Sequence, residues 1–419
     1  MADNQHAQSF TGRAVSSTVI ALLVFVLINL CCTAIKPIKS DRAETAERGW
    51  SYWSLKALHR ADSSKANVVL LGSSLISAAL SECDATFVAK APLDLCFYRD
   101  SAYLDQQLRH RFNHQFKTLN LSAPGQIPSD AYLTMKAALL DGITPSVVIY
   151  ALAPRDFIDH TLKDPCDTEA FHYLSRVVNI DECANDIFRD PFARLNWRLS
   201  QAVYLYDQAM PLTMAAGGAG EQMLHNLLAL TVGDQAQTLM LNRVCPALLP
   251  QYQPFDMEPR TKLATALRQR GPFLDNLQDY KDRYRCPNEG AYQIQMRFLQ
   301  RLIGLCQSND IEVILVNMPI TPENSQLLQR SWGDKYRTDV ARLCSLHHMA
   351  WLDQCQFDQY AHDDFRDSVH LNGFGGKKFV ERLVSHMACD SQAIEAILPT
   401  RVREKRSMAG ATKFSAGIQ

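Results

Sequence analysis

"NVVLLGSSLISAAL", residues 67–80, decides the fold. Four aliphatic residues, Val68 to Leu71, run unbroken into Gly72 and two serines, after which an apolar pattern with helical spacing takes over. A short continuous apolar run ended by glycine fits a strand buried on both faces of a parallel sheet. Serine is a good helix N-cap, because its hydroxyl accepts a bond from an orphan backbone N–H. A hydroxyl at a strand's carboxyl end also lies where open parallel sheets build their sites.

The same rhythm continues along the chain. Strands are expected at "VVLL" 68–71, "TLNL" 118–121, "SVVIYAL" 146–152, "EVILVNM" 312–318 and "MAWLD" 349–353. Helical patterns lie between and after them, over Ser129–Leu140, Tyr292–Cys306, Gln326–His347 and Gly376–Met387. Strands alternating with helices predict an α/β fold, a three-layer sandwich around a five-stranded parallel, flavodoxin-like sheet. The rhythm stops between Asp164 and Asn288, where "FARLNWRLSQAVYLYDQAM", a "GGAG" breaker at 217–220 and "EQMLHNLLALTVGDQAQTLMLNRV" predict a helical insertion at 164–288. The sandwich is then split into 67–163 and 289–389. Residues 390–419, with "RVREKR" at 401–406, read as a solvated, disordered tail.

Ala14 to Ile35 carries no charged residue over 22 positions, enough to cross a bilayer as a helix. The run is long for a signal peptide and no Ala-x-Ala site follows it, so residues 1–36 are read as an uncleaved single-pass anchor. Residues 37–66 follow as a linker, with "GWSYWSLKALH" as its one amphipathic piece. Arg13 precedes the span while Lys36, Lys39, Arg42 and Arg48 follow it, which opposes export by residue count. Long domains translocate largely regardless of that count, and the chemistry below favours an extracytoplasmic, periplasmic domain.

Lys and Arg number 43 against 44 Asp and Glu, so no global field draws nucleic acid, and no nucleic-acid partner is expected. Twelve cysteines show no C-x-x-C or Cys/His spacing, so no metal is expected. Disulfides such as Cys83–Cys96 or Cys166–Cys183, or free thiols, are both compatible with the spacing. No Gly-rich phosphate loop opens the first helix, and no cofactor is expected.

Candidate chemistry gathers at the strand ends, in "GSSL" 72–75, "NLSAPGQ" 120–126, "APRDF" 153–157 and the later "RDSVHLNGFGG" 366–376. A hydroxyl nucleophile needs a base, and a neutral imidazole needs a carboxylate to fix its tautomer. Ser74, His370 and Asp367 supply these three types. A developing oxyanion needs preorganised N–H donors, which a Gly-containing turn and a helix N-terminus present, at Gly125 and Ser74.

These blocks resemble the SGNH, or GDSL-type, hydrolase superfamily over roughly 67–161 and 289–388. The resemblance implies Ser74 as nucleophile, with Ser73 where the family usually has Asp, His370 as base, Asp367 as its partner and Gly125 as an oxyanion donor. Arg155 stands at or near the place of the family's oxyanion Asn; it can donate, but not with an amide's geometry. Together with the anchor, the pattern is similar to bacterial envelope proteins that modify extracellular polysaccharides with acyl groups. That implies a serine esterase or O-acyltransferase, with a carbohydrate polymer or acylated small molecule as substrate and a membrane acyltransferase as a candidate partner. A fold without catalysis, binding polysaccharide or scaffolding such an acyltransferase, is the alternative.

Overall fold

The computed structural model describes residues 4–35, 50–60, 63–95, 97–162, 164–175, 177–188, 190–204, 265–266 and 272–398. The chain divides into two compact units, residues 1–46 with 182–257, and residues 47–181 with 258–419.

The second unit holds five parallel strands, β1 Val68–Gly72, β2 Thr118–Asn120, β3 Val147–Leu152, β4 Glu312–Asn317 and β5 Ala350–Asp353, in the order β2-β1-β3-β4-β5. Register pairs Val68 with Thr118, Gly72 with Ala151, Leu152 with Asn317, and Asn317 with Asp353. Every residue of β1 and β3 is buried, as a sheet covered on both faces requires. Chain order reverses between β1 and β3, which opens a crevice beyond the ends of those two strands.

One face is covered by α3 (Ser74–Cys83), α4 (Ala102–Phe112) and α9 (Gly373–Met387). Leu75, Ile76, Ala79 and Leu80 of α3 share a core with Phe379, Val380, Leu383 and Val384 of α9 and with alternate residues of β1 and β3. On the other face, α5 (Pro128–Leu140) meets α7 (Glu289–Gln307) through Tyr132 and Phe298, with ring centroids 5.8 Å apart. Phe157 packs between Tyr292 of α7 and Tyr336 of α8 (Arg330–His347). The Tyr336 hydroxyl donates to Asn317 Oδ1 (3.0 Å), and Asn317 Nδ2 to Asp353 (2.8 Å), tying the ends of β4 and β5 to that helix.

Four sequence expectations change. The linker's amphipathic piece forms α2 (Trp50–Leu58) and joins the sheet-bearing unit, where the Ser51 hydroxyl donates to Glu169 (2.9 Å). Residues 164–181 and 272–288, expected within the insertion, also belong to that unit, as the Thr168 hydroxyl bond to buried Asp130 (2.7 Å) shows for the first stretch. The helix expected over Gln326–His347 is two, Pro322–Leu327 and α8, with Leu328 and Gln329 between them outside the helical region. Residues 390–398 are not a tail: Asp390 caps α10 (Ser391–Ile397), and Ala393, Ala396, Ile397 and Leu398 are buried in the core. The "GGAG" and 221–244 stretches and "RVREKR" lie outside the described residues. Cys83 and Cys166 carry free thiols, while Cys96 lies outside the described residues.

The first unit contains α1 (Asn4–Ile35), of which Ser17–Ile35 is an unburied apolar run of 19 residues, long enough to cross a bilayer. After residue 182 it includes the helix Pro191–Ala202, capped by Asp190, which accepts from the N–H groups of Phe192 and Ala193.

The approach of α9 to α3 depends on glycine. A Cβ at Gly376 would fall on the Ala79 carbonyl of α3, backbone that has no freedom to yield. Gly376→Ala is therefore expected to cost about 1–3 kcal/mol through overpacking. A urea unfolding curve tests this, and an unshifted midpoint contradicts the packing described.

Candidate active site

The turn after β1 is built on Gly72, whose φ of +140° strains any L side chain. A Cβ there would meet the Ala151 carbonyl at 2.7 Å and Ile76 Cγ2 at 2.9 Å. Ser73 takes the N-cap position of α3 but its side chain makes no capping bond. Ser74, the first residue of α3, points its Oγ at His370 Nε2, 2.8 Å away.

The loop before α9 carries the imidazole and its carboxylate. Asp367 accepts from the main-chain N–H groups of Val369 (3.0 Å) and His370 (2.8 Å), and its Oδ2 lies 2.7 Å from His370 Nδ1. Burial alone would raise the Asp367 pKa, but the imidazole and these two N–H donors outweigh it and hold the carboxyl below its ordinary range. An ionised carboxylate only accepts, so Nδ1 carries the hydrogen and Nε2 is left to accept from the serine hydroxyl. Arg366 braces the loop, donating through Nη1 to buried Glu82 of α3 (2.5 Å) and through its main-chain N–H to the His370 carbonyl (2.9 Å). Ser368 is fixed from three directions, by Thr321 N–H, Asn324 Nδ2 and Asn276 Oδ1.

On the other side of the serine lies the turn after β2. Gly125 has φ +77°, and the turn is held to β1 by Ala123 N–H on the Gly72 carbonyl (3.1 Å) and Gly72 N–H on Gln126 Oε1 (2.7 Å). Among the described residues, the N–H groups of Ser74 and Gly125 donate to no protein acceptor, and both residues line the same cleft. Arg155 lines it too, with its guanidinium partly engaged: Nε donates to Asp159 (3.0 Å) and Nη1 to the Gly125 carbonyl (3.3 Å), with Asp156 at 3.5 Å, while Nη2 has no hydrogen-bond partner among the described residues. Burial opposes its charge, and the two carboxylates more than offset that. Its visible task is to pin the Gly125 turn.

The cleft has a volume of about 420 Å³. Its remaining wall is α6 (Leu277–Tyr284) with the residue before it; Asn276, Asp279, Tyr280 and Arg283 all line the cavity. Sequence reading missed these residues because "NLQDYKDRY" is polar and fell in the stretch assigned to the insertion. The spacing of 276, 279, 280 and 283 on one helical face was the available signal. Among the described residues no group of three or more His, Cys, Asp and Glu is placed to hold a metal ion.

No protein-family profile matches the chain, and no curated protein sequence is similar to it. Among solved structures, a Bacteroides fragilis crystal structure with a provisional acylhydrolase designation aligns with 84% of this chain and 100% of its own, at 10% identity and a TM-score of 0.32. That similarity is too weak to bear on fold or function.

Asp367 ionises more readily in the folded chain than the unfolded reference, about 3.9. Its contribution to stability is therefore complete above that reference and lost as pH falls through the lower folded value. Urea unfolding between pH 5 and 2 is expected to show a steeper acid loss for the wild type than for Asp367→Asn. Equal slopes contradict the assignment.

Proposed function

We propose that this chain is a membrane-anchored serine esterase or O-acyltransferase that works through an acyl-Ser74 intermediate. The observation that carries the reading is the 2.8 Å contact between Ser74 Oγ and His370 Nε2, with Asp367 on the far nitrogen. His370 takes the Ser74 proton as Oγ attacks the acyl carbon, and Asp367 stabilises the imidazolium. The N–H groups of Ser74 and Gly125 receive the oxyanion. Collapse breaks the bond to the alcohol, which takes its proton from His370. Water then resolves the acyl-serine in an esterase, or a second hydroxyl does so in a transferase, with His370 again accepting the proton. The substrate we favour is an O-acyl group on an extracytoplasmic carbohydrate polymer, in keeping with the 19-residue apolar run that ends at Ile35.

A fold without catalysis remains the competing idea, motivated by the engaged Arg155 in place of an amide donor. A base within hydrogen-bond reach of the serine speaks against it.

A fluorophosphonate probe is expected to label the wild type at Ser74. Ser74→Ala abolishes labelling, and His370→Ala slows it by about three orders of magnitude or more, because the base and nucleophile act as a unit. Correctly folded wild type that never labels overturns the proposal. For location, alkaline phosphatase fused after Gln419 is expected to be active. An inactive fusion would place the domain in the cytosol and remove the envelope polymer as substrate.

A further inference from the structure

The wall formed by residues 274–284 is pinned on both sides of the cleft. At its start, Leu274 N–H donates to the Arg366 carbonyl (2.8 Å), and Asn276 Oδ1 accepts from the main-chain N–H (3.0 Å) and hydroxyl (2.5 Å) of Ser368. At its end, the Arg283 carbonyl accepts from His160 N–H (2.8 Å), Arg283 pairs with Asp159, and the Tyr284 hydroxyl donates to Asn324 (3.3 Å).

This anchoring settles the orientation of Asn276. A backbone N–H can only donate, so Oδ1 must face Ser368 and the amide cannot flip. Nδ2 is then the free end, with no protein acceptor among the described residues. The Tyr280 hydroxyl and the Asp279 carboxylate likewise have no hydrogen-bond partner among them. One directed donor, one hydroxyl able to donate or accept, and one acceptor therefore line the cavity beside a tyrosine ring. That set matches a hydroxyl-bearing ligand.

Position says which part of the ligand. The departing alcohol must collect its proton from the imidazole, so it sits on the His370 side of the serine. Asn276 is bonded to Ser368, two residues from His370, on that side. Charge narrows the class further. The two guanidinium groups in the wall and floor, Arg283 and Arg155, are already matched by Asp159 and Asp156, and Asp279 adds a negative charge. Among the described residues around the cleft, these three carboxylates face two guanidinium groups, so a carboxylate or phosphate meets no net positive charge there.

We propose that Asn276, Asp279 and Tyr280 form the subsite for the alcohol portion of the ester, and that this alcohol is an uncharged polyhydroxyl group such as a neutral sugar. The inference rests on the acyl-serine reading above. The alcohol oxygen leaves the acyl carbon with the bonding electrons and takes the imidazolium proton, while the wall holds its neighbouring hydroxyls.

The test compares three acetyl esters on the full chain in detergent: acetylated xylobiose, an acetylated galacturonate disaccharide and 4-nitrophenyl acetate. The neutral sugar ester is expected to be preferred over the anionic one by at least about tenfold in kcat/KM, the worth of one well-made hydrogen bond or one mismatched charge. Asn276→Ala, Asp279→Ala and Tyr280→Ala are each expected to lower kcat/KM for acetylated xylobiose about tenfold more than for 4-nitrophenyl acetate, chiefly by raising KM. Equal losses on both esters would mean a merely structural role and overturn the proposal. So would preference for the galacturonate ester, or no turnover of acetylated xylobiose by protein that the fluorophosphonate still labels at Ser74. Absence of that labelling would fell the acyl-serine reading itself, and this inference with it.

Discussion

Everything in the cleft depends on one hydrogen bond between side chains 296 residues apart, from the Ser74 hydroxyl to His370 Nε2. Two backbone constraints make it possible. Gly72 turns the chain so sharply after β1 that Ser74, rather than Ser73, stands at the head of α3 facing the crevice. On the other partner, Asp367 folds its own loop by accepting two successive N–H groups before it holds the imidazole. The bond then needs α9 to lie close on α3, which is why glycine meets the Ala79 carbonyl at Gly376.

Around that bond the cleft has two unlike sides. Beside Gly125, charges are paired: Arg155 spans Asp159, Asp156 and the Gly125 carbonyl through Nε and Nη1. Beside His370, groups are held but not consumed, since Ser368 fixes the oxygen of Asn276 and leaves its nitrogen free. A side with spent charges suits a small developing oxyanion met by backbone N–H groups. A side with unspent neutral donors and acceptors suits a larger hydroxylated portion. The two carboxylates beside Arg155 explain how an arginine can line the cleft without an excess of positive charge there.

The sheet was legible in the sequence because doubly buried parallel strands must be continuous aliphatic runs, and "VVLL", "SVVIYAL" and "EVILVNM" are such runs. The positions of Ser74, Asp367 and His370 were legible because chemistry collects at strand ends, and the structure brings these three together. Arg155 lines the cleft, and its pairing with Asp159, one helical turn further on, was not legible in the sequence. Less was visible where polar sequence does structural work. Residues 274–284 resemble a solvated stretch, yet their polar groups bond to Arg366, Ser368 and Asp159. Asp390 and the alanines after it resemble the start of a tail, yet the apolar face of Ser391–Ile397 completes a core that local sequence cannot reveal. The break at Leu328 and Gln329 has no glycine or proline to announce it.

The most direct measurement is acid-quench mass spectrometry of the full chain mixed with 4-nitrophenyl acetate. The account predicts one acetyl group on the peptide containing Ser74, absent when His370 is replaced by alanine. No adduct on folded protein, or an acetyl group confined to another residue, would contradict it.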